Sequence, residues 1–288
     1  MALLYALVLR LLHALLALKA KLQRGLVRWD SLGLAWKRRR PRRAFAGGRG
    51  RGKGVGGADG DDVGGDEEEE GRRGLEMARH DGRALRKLPV HVGLVLSEAA
   101  GAERGVRDVA NAVLWCVALG VSYVSVFDAR GMLKETNGRL MEEVLRQQRE
   151  QLGSDWSKRK VEFVDDQSAE ALLQGTPATV RVALLSPRDG RAALARAAAA
   201  FCSLVAARRR PAPALTPGEL GDSLTALKGF PDPDLVLRFG RVESTLGYPP
   251  WQLHLAEIIP VGPLQGLCYE DLHSAMRGFA ECEQRFGK

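Results

Sequence analysis

Residues 90–97 read VHVGLVLS, an almost unbroken apolar run that ends in a serine. Such a continuous apolar strand is typical of a parallel sheet whose two faces are both covered. Apolar residues then recur at helical spacing over residues 106–117, and residues 121–127 form a second strand-like run. This β–α–β order predicts an α/β domain with a mostly parallel central sheet, flanking helices and right-handed crossovers.

The same alternation continues along the rest of the chain. Helices are predicted at residues 133–152, 191–209 and 269–281, the second of them rich in alanine. Strands are predicted at residues 180–185 and 234–239. We therefore assign residues 88–288 to one α/β domain. Parallel sheets gather ligands at the carboxyl ends of their strands, so Ser97, Arg238 and Gly240 are expected near one another, the last two as candidate phosphate-binding groups.

The N-terminal part differs sharply in charge and hydropathy. Residues 1–53 hold fourteen Lys and Arg against one acid, whereas residues 88–288 hold 23 basic and 24 acidic residues. Residues 2–18 are apolar except for Arg10 and His13. We assign residues 1–36 to a membrane anchor with a basic juxtamembrane segment. A single tilted transmembrane helix and an interfacial helix both fit this short stretch.

Residues 37–87 contain a Gly/Arg stretch followed by an acidic run. Few apolar groups mean little burial to offset chain entropy, so we expect a disordered linker here. The Arg-Gly stretch is short, nearly free of aromatic residues and close to the acidic run, and we therefore expect no nucleic-acid partner. If residues 2–18 span the bilayer, the basic residues after them should stay cytosolic, with the C-terminal domain.

Four cysteines lack metal-ligand or redox spacing: Cys116, Cys202, Cys268 and Cys282. The first two lie in apolar helical patterns, and we expect them to be buried, reduced thiols. A domain with unpaired cysteines is typical of a reducing compartment such as the cytosol.

Several motifs occur in an order that resembles one enzyme family. They are residues 91–98 (HVGLVLSE), 113–116 (VLWC), 119–127 (LGVSYVSVF) and 231–238 (PDPDLVLR). Together they resemble the cis-prenyltransferases, and the terminal RFGK at residues 285–288 narrows the resemblance to the non-catalytic subunit of the heteromeric enzymes. The resemblance covers residues 88–288 and implies a cis-prenyltransferase-like fold in an endoplasmic reticulum membrane protein.

The resemblance also implies a missing catalytic group. Active members carry an aspartate where this chain has Ser97, and a hydroxyl is a poor Mg²⁺ ligand compared with a carboxylate. Further along, Ser244 and Leu246 stand where the family has an Arg and a Ser that hold the second diphosphate. We therefore expect no prenyl transfer and no metal site on this chain alone, and Mg²⁺ on a catalytic partner, the dehydrodolichyl diphosphate synthase subunit.

The C-terminal tail is the retained functional element. In the resembling subunit it enters the partner's active site, so Arg285, Phe286 and Gly287 are expected to contact isopentenyl diphosphate there. An Arg fork and a glycine amide both suit a diphosphate. Farnesyl diphosphate would be the allylic substrate, and the apolar residues 249–259 would form the dimer interface. The product would be the long polyprenyl diphosphate precursor of dolichol, used in protein glycosylation.

A second hypothesis makes the chain a membrane receptor or scaffold that binds a protein ligand of the Nogo-B kind without a catalytic role. In that case the tail should tolerate substitution. Two other features have structural interpretations: His91 as a hydrogen-bonded core histidine, and Asp232 and Asp234 as turn formers around a proline.

Overall fold

The computed structural model describes residues 63–97, 100, 103–152, 160–164, 179–224, 227 and 229–284. All of them belong to one compact unit, Gly60–Lys288. The predicted membrane anchor and basic segment, the Gly/Arg part of the linker and the tail residues Arg285, Phe286 and Gly287 lie outside the described residues. None of the helices within the described ranges has the length and apolar character required to cross a bilayer.

Six strands form one sheet in which every neighbouring pair is parallel. Their order across the sheet is β3-β4-β2-β1-β5-β6. The strands are β1 His91–Leu96, β2 Tyr123–Asp128, β3 Lys160–Val164, β4 Thr179–Leu185, β5 Leu235–Phe239 and β6 Glu257–Gly262. The predicted parallel sheet is confirmed. Strands β3 and β6 were not predicted as strands, because each is a short edge strand with partly exposed residues.

Seven α-helices complete the part of the chain that the structure describes. They are α1 Val63–Asp81, α2 Glu103–Leu119, α3 Met132–Glu135, α4 Asn137–Leu152, α5 Arg191–Ala206, α6 Pro217–Asp222 and α7 Tyr269–Glu281. The single helix predicted over residues 133–152 is in fact two, α3 and α4. The break is at Thr136, where the backbone leaves the helical region and the hydroxyl bonds the Met132 carbonyl at 2.7 Å.

Strand β1 lies near the centre of the sheet, between β2 and β5, and all six of its residues are buried. Helix α2 covers one face and buries most of its length, including Trp115. Helix α4 packs against α2 and adds Leu140 and Val144 to the same apolar core. The central position of β1 explains its sequence, because helices and neighbouring strands leave no side open to water.

Helix α1 falls inside the segment predicted as a disordered linker, so that prediction is wrong for Val63–Asp81. Although α1 is rich in acidic residues, one of its faces is buried and consists of Gly71, Gly74, Leu75 and Ala78. A Cβ on Gly74 would lie 2.7 Å from Nε1 of Trp115, so only glycine allows this close approach. The Trp115 indole also donates to the Gly71 carbonyl at 3.3 Å. Tertiary packing therefore stabilises a helix that its composition disfavours.

Helix α5 differs from the other long helices because none of its residues is buried. Its exposed Cys202 contradicts the prediction of a buried thiol, whereas Cys116 is buried as expected. Burial raises the pKa of the Cys116 thiol to about 12. The alanine-rich pattern of α5 predicted burial, but the other described residues do not bury this helix.

Candidate functional site

The carboxyl ends of the parallel strands meet at one edge of the sheet. Leu96 at the end of β1 lies beside Asp128 of β2 and Phe239 of β5. The polar groups that follow these strands, including Ser97 and Gly240, therefore share this edge. In open α/β sheets this edge is the usual place for a ligand.

Ser97 is held by the neighbouring strand. Its hydroxyl donates to the Phe239 carbonyl at 2.8 Å, and its backbone N–H approaches the same oxygen at 3.2 Å. An ionised carboxylate at this position could not make the first of these bonds, because it has no proton to donate. The serine is therefore integrated into the strand end as a hydrogen-bond donor, which is opposite to the role of a metal ligand.

Asp128 was not singled out from the sequence, although it is a carboxylate at the same edge. The residue is only 1% exposed, and its oxygens accept the backbone N–H groups of Arg130 at 2.9 Å and Leu133 at 3.1 Å. It therefore orders the turn that leads into α3. The available signal was an aspartate at a strand end followed by Gly131, which is a turn pattern.

The described side chains at this edge do not fit a Mg²⁺ site. Ser97 donates its proton to a carbonyl, and Asp128 uses both carboxylate oxygens on backbone amides. Elsewhere in the described ranges, too, no group of three or more His, Cys, Asp or Glu side chains is arranged to hold a metal. Glu98 lies outside the described residues.

Of the candidate phosphate-binding pair, Arg238 lies near the carboxyl end of β5 and Gly240 directly follows the strand. The Gly240 N–H donates to the Gly262 carbonyl at 2.6 Å, so this amide is already used between β5 and β6. Gly240 has a φ of 97°, a conformation that favours glycine. Arg238 is half-buried and its Nε atom has no hydrogen-bond partner among the described residues. Of the pair, Arg238 retains a donor for an anion.

A second polar cluster was missed by the sequence reasoning. Lys134 contacts Asp189 with 2.9 Å between Nζ and Oδ1, and the other carboxylate oxygen accepts the N–H and hydroxyl of Ser186 at 2.7 and 2.9 Å. These residues line a cleft of about 660 Å³ together with Arg130 and Arg188. The signal was the capping box formed by Ser186 and Asp189. Because Asp189 pairs with Lys134, the cluster is first of all structural.

At the opposite, amino end of β1, His91 belongs to a buried chain of hydrogen bonds. Its Nδ1 lies 2.6 Å from the Pro231 carbonyl, its Nε2 lies 2.8 Å from the Ser125 hydroxyl, and that hydroxyl lies 2.7 Å from the Tyr248 hydroxyl. Nδ1 must be the donor because a carbonyl only accepts, so Nε2 of the neutral ring accepts from Ser125. The prediction of a hydrogen-bonded core histidine is confirmed.

Two aspartates near His91 have different surroundings. The Asp234 carboxylate accepts the N–H groups of Val90 and His91 at 2.7 and 3.1 Å. It therefore fixes the start of β1. Asp232 is exposed and lies 3.3 Å from the His254 ring. Asp234 thus has a structural role, but its carboxylate bonds the start of β1 instead of the turn around Pro233 that was predicted.

Acidification is expected to weaken the fold through His91. Burial lowers the pKa of His91 from its ordinary value of 6.5 to about 4. The unfolded chain therefore binds a proton more readily than the folded chain between those values, and stability falls as the pH drops through that window. The difference corresponds to about 3 kcal/mol. Urea unfolding at pH 7, 6 and 5 should show this slope, and His91→Gln should flatten it; parallel curves for the two proteins would contradict the assignment.

The late apolar segment forms an exposed surface on the β6 side of the sheet. Leu255 is 62% exposed and Ile258 is 42% exposed. Ile258 points outward from the edge strand β6, while its neighbour Ile259 packs on the core. We call Leu255 and Ile258 the β6 apolar surface. A group of exposed aliphatic side chains beside an open strand edge is suited to a protein partner.

Helix α7 leads to the C-terminal tail. It begins at Tyr269 and ends at Glu281, as predicted from the sequence. Cys282 follows with extended backbone angles, φ −70° and ψ 129°, so the chain leaves the helix in an extended direction. The three tail residues with predicted substrate contacts come directly after the described residues, and their placement stays a prediction.

No protein-family model matches the chain, whereas several known proteins do. The chain is 48% identical over 210 residues to the dehydrodolichyl diphosphate synthase complex subunit Nus1 of Mus musculus, covering 73% of this chain and 69% of that protein. The Homo sapiens subunit NUS1 is 47% identical over 210 residues, covering 73% and 70%. The Schizosaccharomyces pombe subunit is 27% identical over 218 residues, covering 74% and 82%.

The fold is also similar to that of solved structures. The structure of lavandulyl diphosphate synthase from Lavandula x intermedia, in complex with dimethylallyl diphosphate, superposes with a TM-score of 0.51 at 19% sequence identity. The match covers 70% of this chain and 99% of the synthase. At this identity the likeness concerns the fold, a parallel sheet with flanking helices.

Proposed function

The chain belongs to the family of dehydrodolichyl diphosphate synthase complex subunits that includes mouse and human Nus1, and from this premise we propose that it is the accessory subunit of a heteromeric cis-prenyltransferase. Its partner is the catalytic cis-prenyltransferase subunit. The complex condenses isopentenyl diphosphate onto farnesyl diphosphate and produces long-chain polyprenyl diphosphate for dolichol and protein glycosylation.

The observation that carries the non-catalytic role is the bonding of Ser97. A leaving diphosphate needs a metal or a set of cationic donors to stabilise its charge. At the sheet edge of this chain, Ser97 donates to the Phe239 carbonyl and Asp128 caps the following turn. We therefore assign Mg²⁺ to the catalytic partner and expect no turnover by this chain alone.

The contribution of this subunit to the shared site is its tail. Arg285 supplies a charged, bidentate donor for the diphosphate of isopentenyl diphosphate, and Gly287 lets the backbone approach it closely. Phe286 accompanies them as an apolar contact. Helix α7, which precedes the tail, packs against β6, α1 and α2 and supplies a rigid support for it. A site built on a supported helix holds its donors more accurately than one on a free terminus.

The proposal also includes attachment to a membrane. Residues 1–36 attach the chain to the endoplasmic reticulum membrane, and the domain of residues 88–288 faces the cytosol. The basic excess after residue 18 favours this orientation for a transmembrane helix. An interfacial helix would keep the domain on the same side of the membrane.

Reconstitution tests the proposal. Incorporation of radiolabelled isopentenyl diphosphate is measured for this chain alone, for the catalytic subunit alone and for the two co-expressed. We expect activity only in the co-expressed sample, because each chain supplies part of one site. Activity of this chain alone would show that Ser97 does not disable it. A catalytic subunit equally active on its own would instead favour the receptor or scaffold hypothesis.

A further inference from the structure

The end of helix α7 is held by a residue from the opposite end of the domain. The ammonium group of Lys87 donates to the Cys282 carbonyl at 2.6 Å, across 195 residues of sequence. The same ammonium lies 4.5 Å from the centre of the Phe279 ring. A cation near the C-terminus of a helix both bonds a free carbonyl and interacts favourably with the helix dipole. Lys87 is therefore well suited to fix the last turn of α7.

Cys282 is fixed from two other directions. Its backbone N–H donates to the Gly278 and Phe279 carbonyls at 3.1 and 3.2 Å. Its thiol lies 3.8 Å from a carboxylate oxygen of Glu257 on β6. The position and direction of the chain at this residue are therefore determined by α7, β6 and Lys87 together.

The beginning of α7 is tied to the same N-terminal segment. The Tyr269 hydroxyl donates to the Asp81 carboxylate at 3.0 Å, and the His273 ring lies 3.7 Å from that carboxylate. Burial and the Asp81 carboxylate raise the pKa of Tyr269 well above its ordinary range, so the hydroxyl remains a donor. Residues 81 and 87 thus contact the two ends of one helix.

The direction of the chain at Cys282 determines where the tail residue Arg285 can lie. Arg285 is three residues beyond Cys282, which places its Cα within roughly 11 Å of the Cys282 Cα. Over that distance, a change of about 15° in the direction of the chain at Cys282 moves Arg285 by roughly 3 Å. Misplacement of a binding group by about 1 Å can reduce a rate about 100-fold. The tail can therefore act reproducibly only if Cys282 is held.

We propose that Lys87 is a positioning residue for the reaction, which acts on isopentenyl diphosphate by directing the C-terminal tail through its bond to the Cys282 carbonyl. The inference rests on the proposed function, because it gives Lys87 an effect only through Arg285. Lys87 does not touch the substrate and is not a catalytic residue. It links the segment that follows helix α1 to the end of helix α7.

The test is Lys87→Met in the full-length complex, with Arg86→Met as the matched control. Arg86 is the exposed neighbour with the same charge, and methionine keeps an apolar stem at either position. We expect Lys87→Met to raise the KM for isopentenyl diphosphate about tenfold, within the range expected for a misplaced binding group. The KM for farnesyl diphosphate should be unchanged, and Lys87→Arg should restore the wild-type value because guanidinium also donates to a carbonyl.

A double variant separates this inference from the proposed function. If Lys87 acts through the tail, Lys87→Met should cause little further loss in a complex that already carries Arg285→Ala. Equal effects on both KM values, or none on either, would overturn the inference. Loss of assembly would overturn it too, because Lys87 would then serve folding. If Arg285→Ala alone left activity unchanged, the tail's role in the proposed function would fail whatever Lys87 does.

Discussion

Arg285→Ala is expected to reduce isopentenyl diphosphate incorporation by the complex about 100-fold, the usual cost of removing one preorganised donor from a site where charge develops. The guanidinium carries a full charge and two parallel donors, so its loss affects both binding of the diphosphate and the chemical step. The activity of Arg285→Lys should lie between those of the wild type and Arg285→Ala, because lysine keeps the charge but lacks the two parallel donors of the guanidinium.

The measurement is incorporation of radiolabel by the co-expressed complex, with the amount of heteromer determined by gel filtration. Arg277→Ala is the matched control, since Arg277 is an exposed arginine on the same helix α7. Its activity should equal that of the wild type. Full activity of Arg285→Ala in an intact complex would show that the tail is not part of the site and would support the scaffold hypothesis.

Ile258→Arg is expected to weaken the heteromer about 100-fold, because it would place an uncompensated charge in an apolar interface. We expect Ile258 to lie in the interface with the catalytic partner. It is on the edge strand β6 and, with Leu255, belongs to the β6 apolar surface. A change of this size corresponds to about 3 kcal/mol of binding free energy. Activity should fall with the amount of complex and recover at high subunit concentration.

Met141→Arg provides the control for this change. Met141 is 39% exposed, close to Ile258 in exposure, but it lies on α4, which packs against α2 rather than β6. Binding of the partner, measured by titration of one labelled subunit with the other, should be the same as for the wild type. An undisturbed affinity for Ile258→Arg would place the partner on another face of the domain.

The two substitutions separate two properties of an accessory subunit. Ile258→Arg weakens the complex, whereas Arg285→Ala leaves an intact complex that lacks one donor. A receptor or scaffold would depend on the first residue and not on the second. The proposed shared active site requires both.

The strands next to the site could be predicted because the apolar character of their residues indicates that they are buried. Residues 92–96 are apolar, as required of a strand covered on both faces, and the structure buries all of them together with His91. Helix α7 was predicted with the observed bounds, since its apolar residues recur at helical spacing. Local pattern fails for β6, where no residue is fully buried and Pro260 interrupts the run.

The α/β class, the parallel arrangement of the central strands and the serine at position 97 follow from the amino-acid sequence, because hydrophobic periodicity and residue identity are properties of short segments. In contrast, the bond from Ser97 to a carbonyl of β5, the packing of α1 on Trp115 and the reach of Lys87 to Cys282 are visible only in the folded domain. These contacts join residues that are 44 to 195 positions apart. No local pattern specifies them, since they depend on where folding brings distant surfaces together.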